Sequence, residues 1–425
     1  MPNITRTEIC EGVNFSHIPE NKFKNELISF SMFTPLDKKH VSQNAVIPSL
    51  LTHSGKKYPS IKLLNQKLEE LYGASISPSV SKVGDFQALT ITAFCADDRF
   101  LPYKSANINN LSNLLCELIF SPNLNKEGLF FDEDIEREKT QIIEEIKSEK
   151  NDKKVYARGK CVEIMCKNEK YGINSLGTIE SAKNLSSKTI FDAWKNLLEN
   201  AHVEIMMIGN GENNLIINEF KKRFQNIKRG KNPPFKTEII KKVNEITQKQ
   251  ESMDVTQCKL VMGFRTEIAK PDEKVSAVKV MNALLGGTPQ SKLFLNVREK
   301  LSLCYYCSSK YNANKGIILI ESAVELQNIE RAKKEILEQI KDIQLGNFSD
   351  TQLEETKLYL KQKTKKIQDD IELMGTWYLL QTFDETKKAP SEAIKEIENV
   401  SREDVINAAL KISLDTIYIL SSSKE

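Results

Sequence analysis

Repetition constrains this chain more than any other feature. Ile179-Glu180, Leu185-Ser186 and Ile190 lead into an apolar strand that starts at Val203. Ile397-Glu398, Val400-Ser401 and Val405 lead into another, Thr416-Ile-Tyr-Ile-Leu. The two serines are 215 residues apart (401 − 186 = 215), about half of the 425-residue chain. A helix start and a following strand that recur together at one spacing mark a duplicated half, and that choice precedes any fold assignment.

The elements between these landmarks fit two similar halves. Residues 12–35 read as a hairpin, because Glu26-Leu-Ile-Ser-Phe-Ser-Met-Phe alternates apolar with small polar residues. A short helix is expected over 43–51. A second is capped by Ser60, carries Ile61, Leu64, Leu68 and Leu71 on one face, and stops at Gly73. Two strands flank Gly84-Asp85, one helix spans about 105–120, and a long helix starts near Asp132 with Ile135, Ile142, Ile143 and Ile146 at helical period. In the second half, Lys259–Arg265 reads as a strand, Lys274–Leu285 and Ser291–Lys300 as helices, and 303–324 as strands. Ile329, Ala332, Ile336 and Ile340 then share a helix face, and Ser349 caps a further helix. The expected fold is α+β, with two homologous halves, each a mostly antiparallel sheet covered by helices on one face. The expected domains are 1–225 and 251–425. Between them 226–250 forms a basic linker: ten basic residues stand against two acidic ones over 221–250, around Pro233-Pro234. This stretch reads as a solvated connector lying over the surface.

Composition narrows the function classes. The 61 basic and 58 acidic residues leave a net charge of +3, so neither nucleic acid nor an anionic membrane is an expected partner. Met1–Arg6 has no apolar signal core and no stretch approaches a membrane-spanning length. Most of the eight cysteines sit in apolar runs, which favours a reducing compartment, and a cytoplasmic location is expected.

Reactive constellations are scarce. The four histidines, at 17, 40, 53 and 202, include no pair three or four residues apart, although catalytic zinc needs three protein ligands. Cys304-Tyr-Tyr-Cys307 has redox-motif spacing but lies in a strand or turn rather than at a helix start, so packing is the expected role. Cys161 and Cys166 have no matching second pair. Gly209-Asn210-Gly211 follows a strand but lacks the third glycine and the Lys-Ser/Thr ending of a phosphate loop, and no Gly-x-Ser-x-Gly occurs.

One long run is distinctive: Leu284-Leu285-Gly286-Gly287, then Ser291-Lys292-Leu293-Phe294, then Val297-Arg298-Glu299-Lys300-Leu301-Ser302-Leu303-Cys304-Tyr305. It resembles the second-domain signature of the pitrilysin/insulinase zinc peptidases. Lys57-Tyr58-Pro59-Ser60 with Leu71-Tyr72-Gly73-Ala74 resembles the segment after that family's inverted zinc motif. Arg137-Glu138 with Ile143-Glu144-Glu145-Ile146 resembles its downstream glutamate helix. The resemblance places His-x-x-Glu-His at Ala45-Val46-Ile47-Pro48-Ser49, where both histidines and the glutamate are missing. It makes Glu145 a vestigial third ligand and implies no metal cofactor, since hydrolysis here needs zinc to make hydroxide and a carboxylate to move its proton. It also implies that Arg298 and Tyr305 contact substrate. The expectation is a non-catalytic subunit that pairs with a zinc-bearing paralogue to enclose a peptide chamber. The most similar type is associated with 5-aminopentanol modification of elongation factor P. Two alternatives stay open: a stand-alone peptide-binding homodimer, and a zinc peptidase with rearranged ligands such as His53, Glu145 and a cysteine.

Overall fold

Eleven strands form two sheets in this computed structural model, which describes residues 4–103, 105–230, 235–384 and 386–422. The first sheet contains β1 (Thr5–Cys10), β2 (Val13–Ile18), β3 (Asn25–Pro35), β4 (Ser75–Val83), β5 (Phe86–Ala96) and β6 (His202–Ile208), in the order β1-β2-β6-β3-β5-β4. The second contains β7 (Thr247–Met253), β8 (Cys258–Thr266), β9 (Cys304–Asn312), β10 (Ile317–Val324) and β11 (Ile412–Ser422), in the order β7-β11-β8-β10-β9. The order β6-β3-β5-β4 is repeated as β11-β8-β10-β9. In each sheet one parallel pair, β2–β6 or β7–β11, adjoins otherwise antiparallel strands.

The repeated sequence landmark has a physical meaning. Ser186 and Ser401 each accept a hydrogen bond from the backbone N–H three residues on, and the Thr189 and Asp404 side chains accept one in return from the serine N–H. These reciprocal caps start the helices Ser187–Asn200 and Arg402–Leu410, which lead into β6 and β11.

The expected hairpin over 12–35 does not form. β6 lies between β2 and β3, parallel to the first and antiparallel to the second. Both β2 and β3 are buried along nearly their whole length, so each needs a neighbour on either side, and the distant β6 supplies it. The local hairpin is β1–β2, turning at Gly12 with φ 69°.

The chain folds into two units that interleave along the sequence. One comprises Met1–Lys147, Ile173–Lys236 and Asp370–Lys387; the other comprises Ser148–Gly172, Thr237–Asp369 and Lys388–Glu425. In the first unit, α1 (Val41–His53), α2 (Ile61–Glu70), α3 (Asn107–Phe120) and α4 (Asp132–Asn151) contribute Leu50, Leu64, Leu115 and Ile142 to one core. Phe15, Ile28, Phe30, Ile91 and Ile205 of the sheet face them there. The opposite sheet face carries Ile18, Leu27, Met206 and Ile208, which pack on Met374 and Tyr378 of the Ile371–Leu379 helix. In the second unit, helices Val275–Asn282, Ile329–Gln344, Asp350–Lys365 and Arg402–Leu410 cover the main face of the sheet. The other face is closed by α5 (Lys153–Met165), whose Ala157, Cys161 and Met165 meet Val261, Leu319, Tyr418 and Leu420. A side chain at Gly263 of β8 would sit 2.7 Å from Met165 Sδ, so glycine is what lets α5 approach. Each sheet thus has the expected helical layer plus one helix on its second face.

Just beyond α5 a buried ionic cluster fixes the chain. Arg265 donates to Asp415 Oδ2 at 2.7 Å and to Glu169 at 3.1 and 2.6 Å, and Lys315 Nζ lies 2.7 Å from Glu169 Oε2. All four side chains are at most 5% exposed.

The stretch read as a solvated connector is anchored where it is described; Pro233 and Pro234 lie outside the described residues. Arg229 donates to the carbonyls of Glu11, Leu198 and Ala201. The Phe235 ring packs 4.5 Å from that of Phe86 and 5.3 Å from that of Phe33. Glu238 O accepts from Lys315 Nζ at 2.6 Å. From Thr247 onward the chain is strand β7. Charge predicted solvation, but Arg229 satisfies main-chain carbonyls with its fork of donors while burying its stem.

Candidate functional site

In the first unit the catalytic-motif positions lie on α1, which is buried over most of its length. Ala45 is 7% exposed and presents only a methyl group. Pro48 sits inside the helix with no N–H to give the carbonyl of Asn44, a substitution that weakens rather than equips a helix. Ser49 O accepts from His53 Nδ1 at 2.7 Å and from Thr52 Oγ1 at 3.0 Å. His53 Nδ1 also lies 3.6 Å from Glu138 Oε1. Glu138 is 2% exposed and has Arg137 Nε 3.4 Å away.

Glu145 stands seven residues further along α4, on its exposed side. Zinc requires imidazole, thiolate or carboxylate donors, and a methyl, a ring and a hydroxyl do not supply them. The residues present therefore do not fit the metal. Nor does the structure assemble His53, Glu145 and a cysteine: among the described residues, no group of three His, Cys, Asp or Glu side chains could hold an ion. The first unit offers a carboxylate buried beside a histidine, and sequence spacing did not reveal that pair because it joins two helices.

The second unit builds a different surface. The Val275–Asn282 helix runs into a π-turn, Ala283–Gly287. A side-chain carbon on Gly286 would lie 2.7 Å from both Ser309 N and Leu293 Cδ1, so this glycine allows the turn to rest directly on β9. Residues Leu293–Lys300 are also π-helical, where the sequence predicts an ordinary helix; Leu301 N donates to Asn296 O at 3.1 Å. Widened turns of this kind recur at functional sites. Leu293 and Val297 anchor the segment in the core. Arg298 projects outward, its guanidinium 4.5 Å from the Phe294 ring centre and its Nε 3.5 Å from Glu299 Oε1.

Tyr305 is 73% exposed. Its prominence comes from a bulge: Cys304 pairs with Val324 and Tyr306 with Ala323, leaving Tyr305 as the extra residue of β9. The Cys304 thiol feels the Arg298 charge. Elsewhere in the second unit, Thr288, Pro289 and Gln290 and residues of the Asp350–Lys365 helix line an open groove of about 290 Å³.

Residues 184–360 match the family model described as "Peptidase M16 inactive domain". A Bacillus subtilis protein named "Probable inactive metalloprotease YmfF" is 29% identical over 413 residues, covering 97% of this chain and 96% of that one. This chain is thus similar to inactive M16-type peptidases. A conserved Enterococcus faecalis protein of solved structure matches with a TM-score of 0.92 and 27% identity, covering 100% of this chain and 99% of that one. The solved M16 inactive domain from Pseudomonas fluorescens superposes at a TM-score of 0.78 with 14% identity, over 99% and 98% of the two chains, and shares the fold. The two halves inferred from repetition thus share the fold of these M16-type neighbours. No described helix is long and apolar enough to cross a membrane.

Proposed function

We propose that this M16 homologue is the non-catalytic subunit of a two-chain peptide-processing assembly, paired with a zinc-bearing paralogue. The observation that carries the reading is an asymmetry. The second unit presents Arg298 on a π-helical segment and Tyr305 on the β9 bulge, while the first holds carbon and a hydroxyl at the catalytic positions. In this reading the partner supplies zinc, hydroxide and the proton-moving carboxylate. Arg298 supplies charge for a peptide carbonyl or carboxylate, and Tyr305 supplies a hydroxyl and a ring face. The groove beside Thr288–Gln290 receives flanking substrate residues. We place the assembly in the cytoplasm, and its link to elongation factor P modification rests on the resemblance alone.

The test is co-expression with a zinc-bearing M16 paralogue of similar length from the same genome. Size exclusion should give a heterodimer whose peptidase activity exceeds that of the paralogue alone. Arg298→Ala and Tyr305→Phe should lower that activity while leaving the complex intact. Absence of a complex, or a homodimer that captures peptide without a partner, would overturn the proposal. The pathway link is checked separately by mass spectrometry of elongation factor P after deletion of the gene: an unchanged modification removes it.

A further inference from the structure

The cysteine pair of β9 looks structural in sequence because it lies in a strand or turn rather than at a helix start, and residues three apart on an unbroken strand would point to opposite faces. The bulge at Tyr305 reverses that expectation. Cys304 lies opposite Val324 and Cys307 opposite Ser322, and those two β10 residues are two apart. Both thiols therefore share one face of the sheet, close enough to hydrogen-bond to each other, with the Ser322 hydroxyl beside both. Ser322 Oγ in turn donates to Tyr306 O at 3.0 Å. Cys304 is half-buried at the sheet edge and Cys307 is buried behind it, whereas five of the other six cysteines are fully buried.

We propose that Cys304 and Cys307 are a peroxide-oxidised dithiol that closes to a disulfide within β9. The Cys304 thiolate attacks one oxygen of hydrogen peroxide; the O–O bond breaks, hydroxide leaves, and Cys304 becomes a sulfenic acid. The Cys307 sulfur then attacks the Cys304 sulfur, loses its proton, and releases the sulfenic oxygen as hydroxide, which leaves as water. Two thiols and one peroxide give one disulfide and two waters, and two equivalents of a small-molecule thiol reduce the disulfide back to the dithiol, being oxidised to their own disulfide. The electrostatics suit these roles. A hydrogen bond from Cys307 holds the Cys304 thiol down at about 7 against the effect of burial, with help from Ser322 and Arg298. The same bond, with burial, pushes the Cys307 thiol well up. Closure would fix the bulge that projects Tyr305. The inference needs neither a partner chain nor the subunit reading.

The test uses the full chain, reduced and then exposed to hydrogen peroxide. Peptide mapping should find one disulfide, Cys304–Cys307, with an intact mass lower by two hydrogens. In the reduced chain at neutral pH, iodoacetamide should label Cys304 at least about fivefold faster than Cys10, the other accessible thiol, after allowing for the lower nucleophilicity of a more acidic thiol. C307S should accumulate a Cys304 sulfenic acid that dimedone captures. Equal labelling of Cys304 and Cys10, or oxidation that leaves both β9 thiols free, would overturn the proposal. Both decisive readouts come from the unmutated chain, so a misfolded variant cannot mask them.

Discussion

Exchanging Glu169 for glutamine would leave two buried cations facing one carboxylate. In the native cluster Glu169 receives Arg265 at 3.1 and 2.6 Å and Lys315 at 2.7 Å, and Asp415 holds Arg265 at 2.7 Å. Two positive and two negative charges balance where the Arg265 and Glu169 side chains are each 1% exposed. Removing one member of a buried pair costs about 3–5 kcal/mol, chiefly because the remaining charge stays buried without compensation. Glutamine keeps one acceptor oxygen for Arg265, so the lower end, about 3 kcal/mol, is expected. That is a large fraction of a total stability of roughly 5–15 kcal/mol. The loss should be local first, because Glu169 lies just after α5. Urea unfolding followed by circular dichroism measures the magnitude, and hydrogen exchange over Lys153–Met165 locates it. The pH dependence has a defined sign. Burial opposes ionisation of Glu169, but hydrogen bonds from Arg265 and Lys315 outweigh it and hold the carboxyl below its ordinary 4.5. Its stabilisation is therefore present above that value and lost as pH falls through the lower folded value; the variant should lack this loss. A destabilisation under about 1 kcal/mol with unchanged exchange in α5 would refute the claim that this cluster secures the second sheet's back face.

Glu26→Gln should act in the opposite direction. Burial pushes the Glu26 carboxyl up to about 7, so its stabilising protonated form is complete below 4.5 and lost as pH rises through about 7. The variant should gain about 1–2 kcal/mol over the native chain near pH 8 and nothing near pH 4.5, read by urea unfolding at both. Gly286→Ala should cost about 1–3 kcal/mol, because the new carbon would meet Ser309 N at 2.7 Å, and thermal unfolding checks it. Zinc or EDTA should leave the melting temperature of the isolated chain unchanged, since a tightly bound ion would raise it by mass action. A fragment ending at Lys236 lacks the Ile371–Leu379 helix, and one starting at Thr237 lacks α5. Neither should unfold cooperatively alone, and a cooperative transition in either fragment would count against the interleaved cores.

Much of the fold was legible because the signals were local and periodic. The Ser60 cap, with Tyr72 and Gly73 in left-handed conformation, delimits α2 as its sequence suggests. The serine caps at 186 and 401 carried the duplication. Pairing across distance was not legible. A six-residue link between β2 and β3 reads as a hairpin, yet β6 enters between them from 167 residues beyond the end of β3 (202 − 35 = 167), because burial of both strands decides the partners. The exchanged helices were hidden for the same reason. α5 and Ile371–Leu379 are only weakly amphipathic, and nothing in their spacing says which sheet they cover.

The candidate site divides along the same line. Loss of the metal-binding motif is a statement about side-chain identity, and one sequence suffices to make it: no geometry turns Ala45, Pro48 and Ser49 into zinc ligands. What the second unit presents depends on one extra residue per turn of helix and one extra residue in a strand. An α-helix and a π-helix share nearly the same apolar spacing over eight residues, so Leu293 and Val297 fit either, and only the backbone bond from Leu301 to Asn296 separates them. A bulge reverses the facing of every residue beyond it, and no residue type in Cys304-Tyr-Tyr-Cys307 announces one. The same insertion that pushes Tyr305 into solvent brings the two thiols together. The chemistry of this surface is therefore set by backbone irregularity, and a reading that assumes regular strands assigns Cys304 and Cys307 to opposite faces and misses their contact.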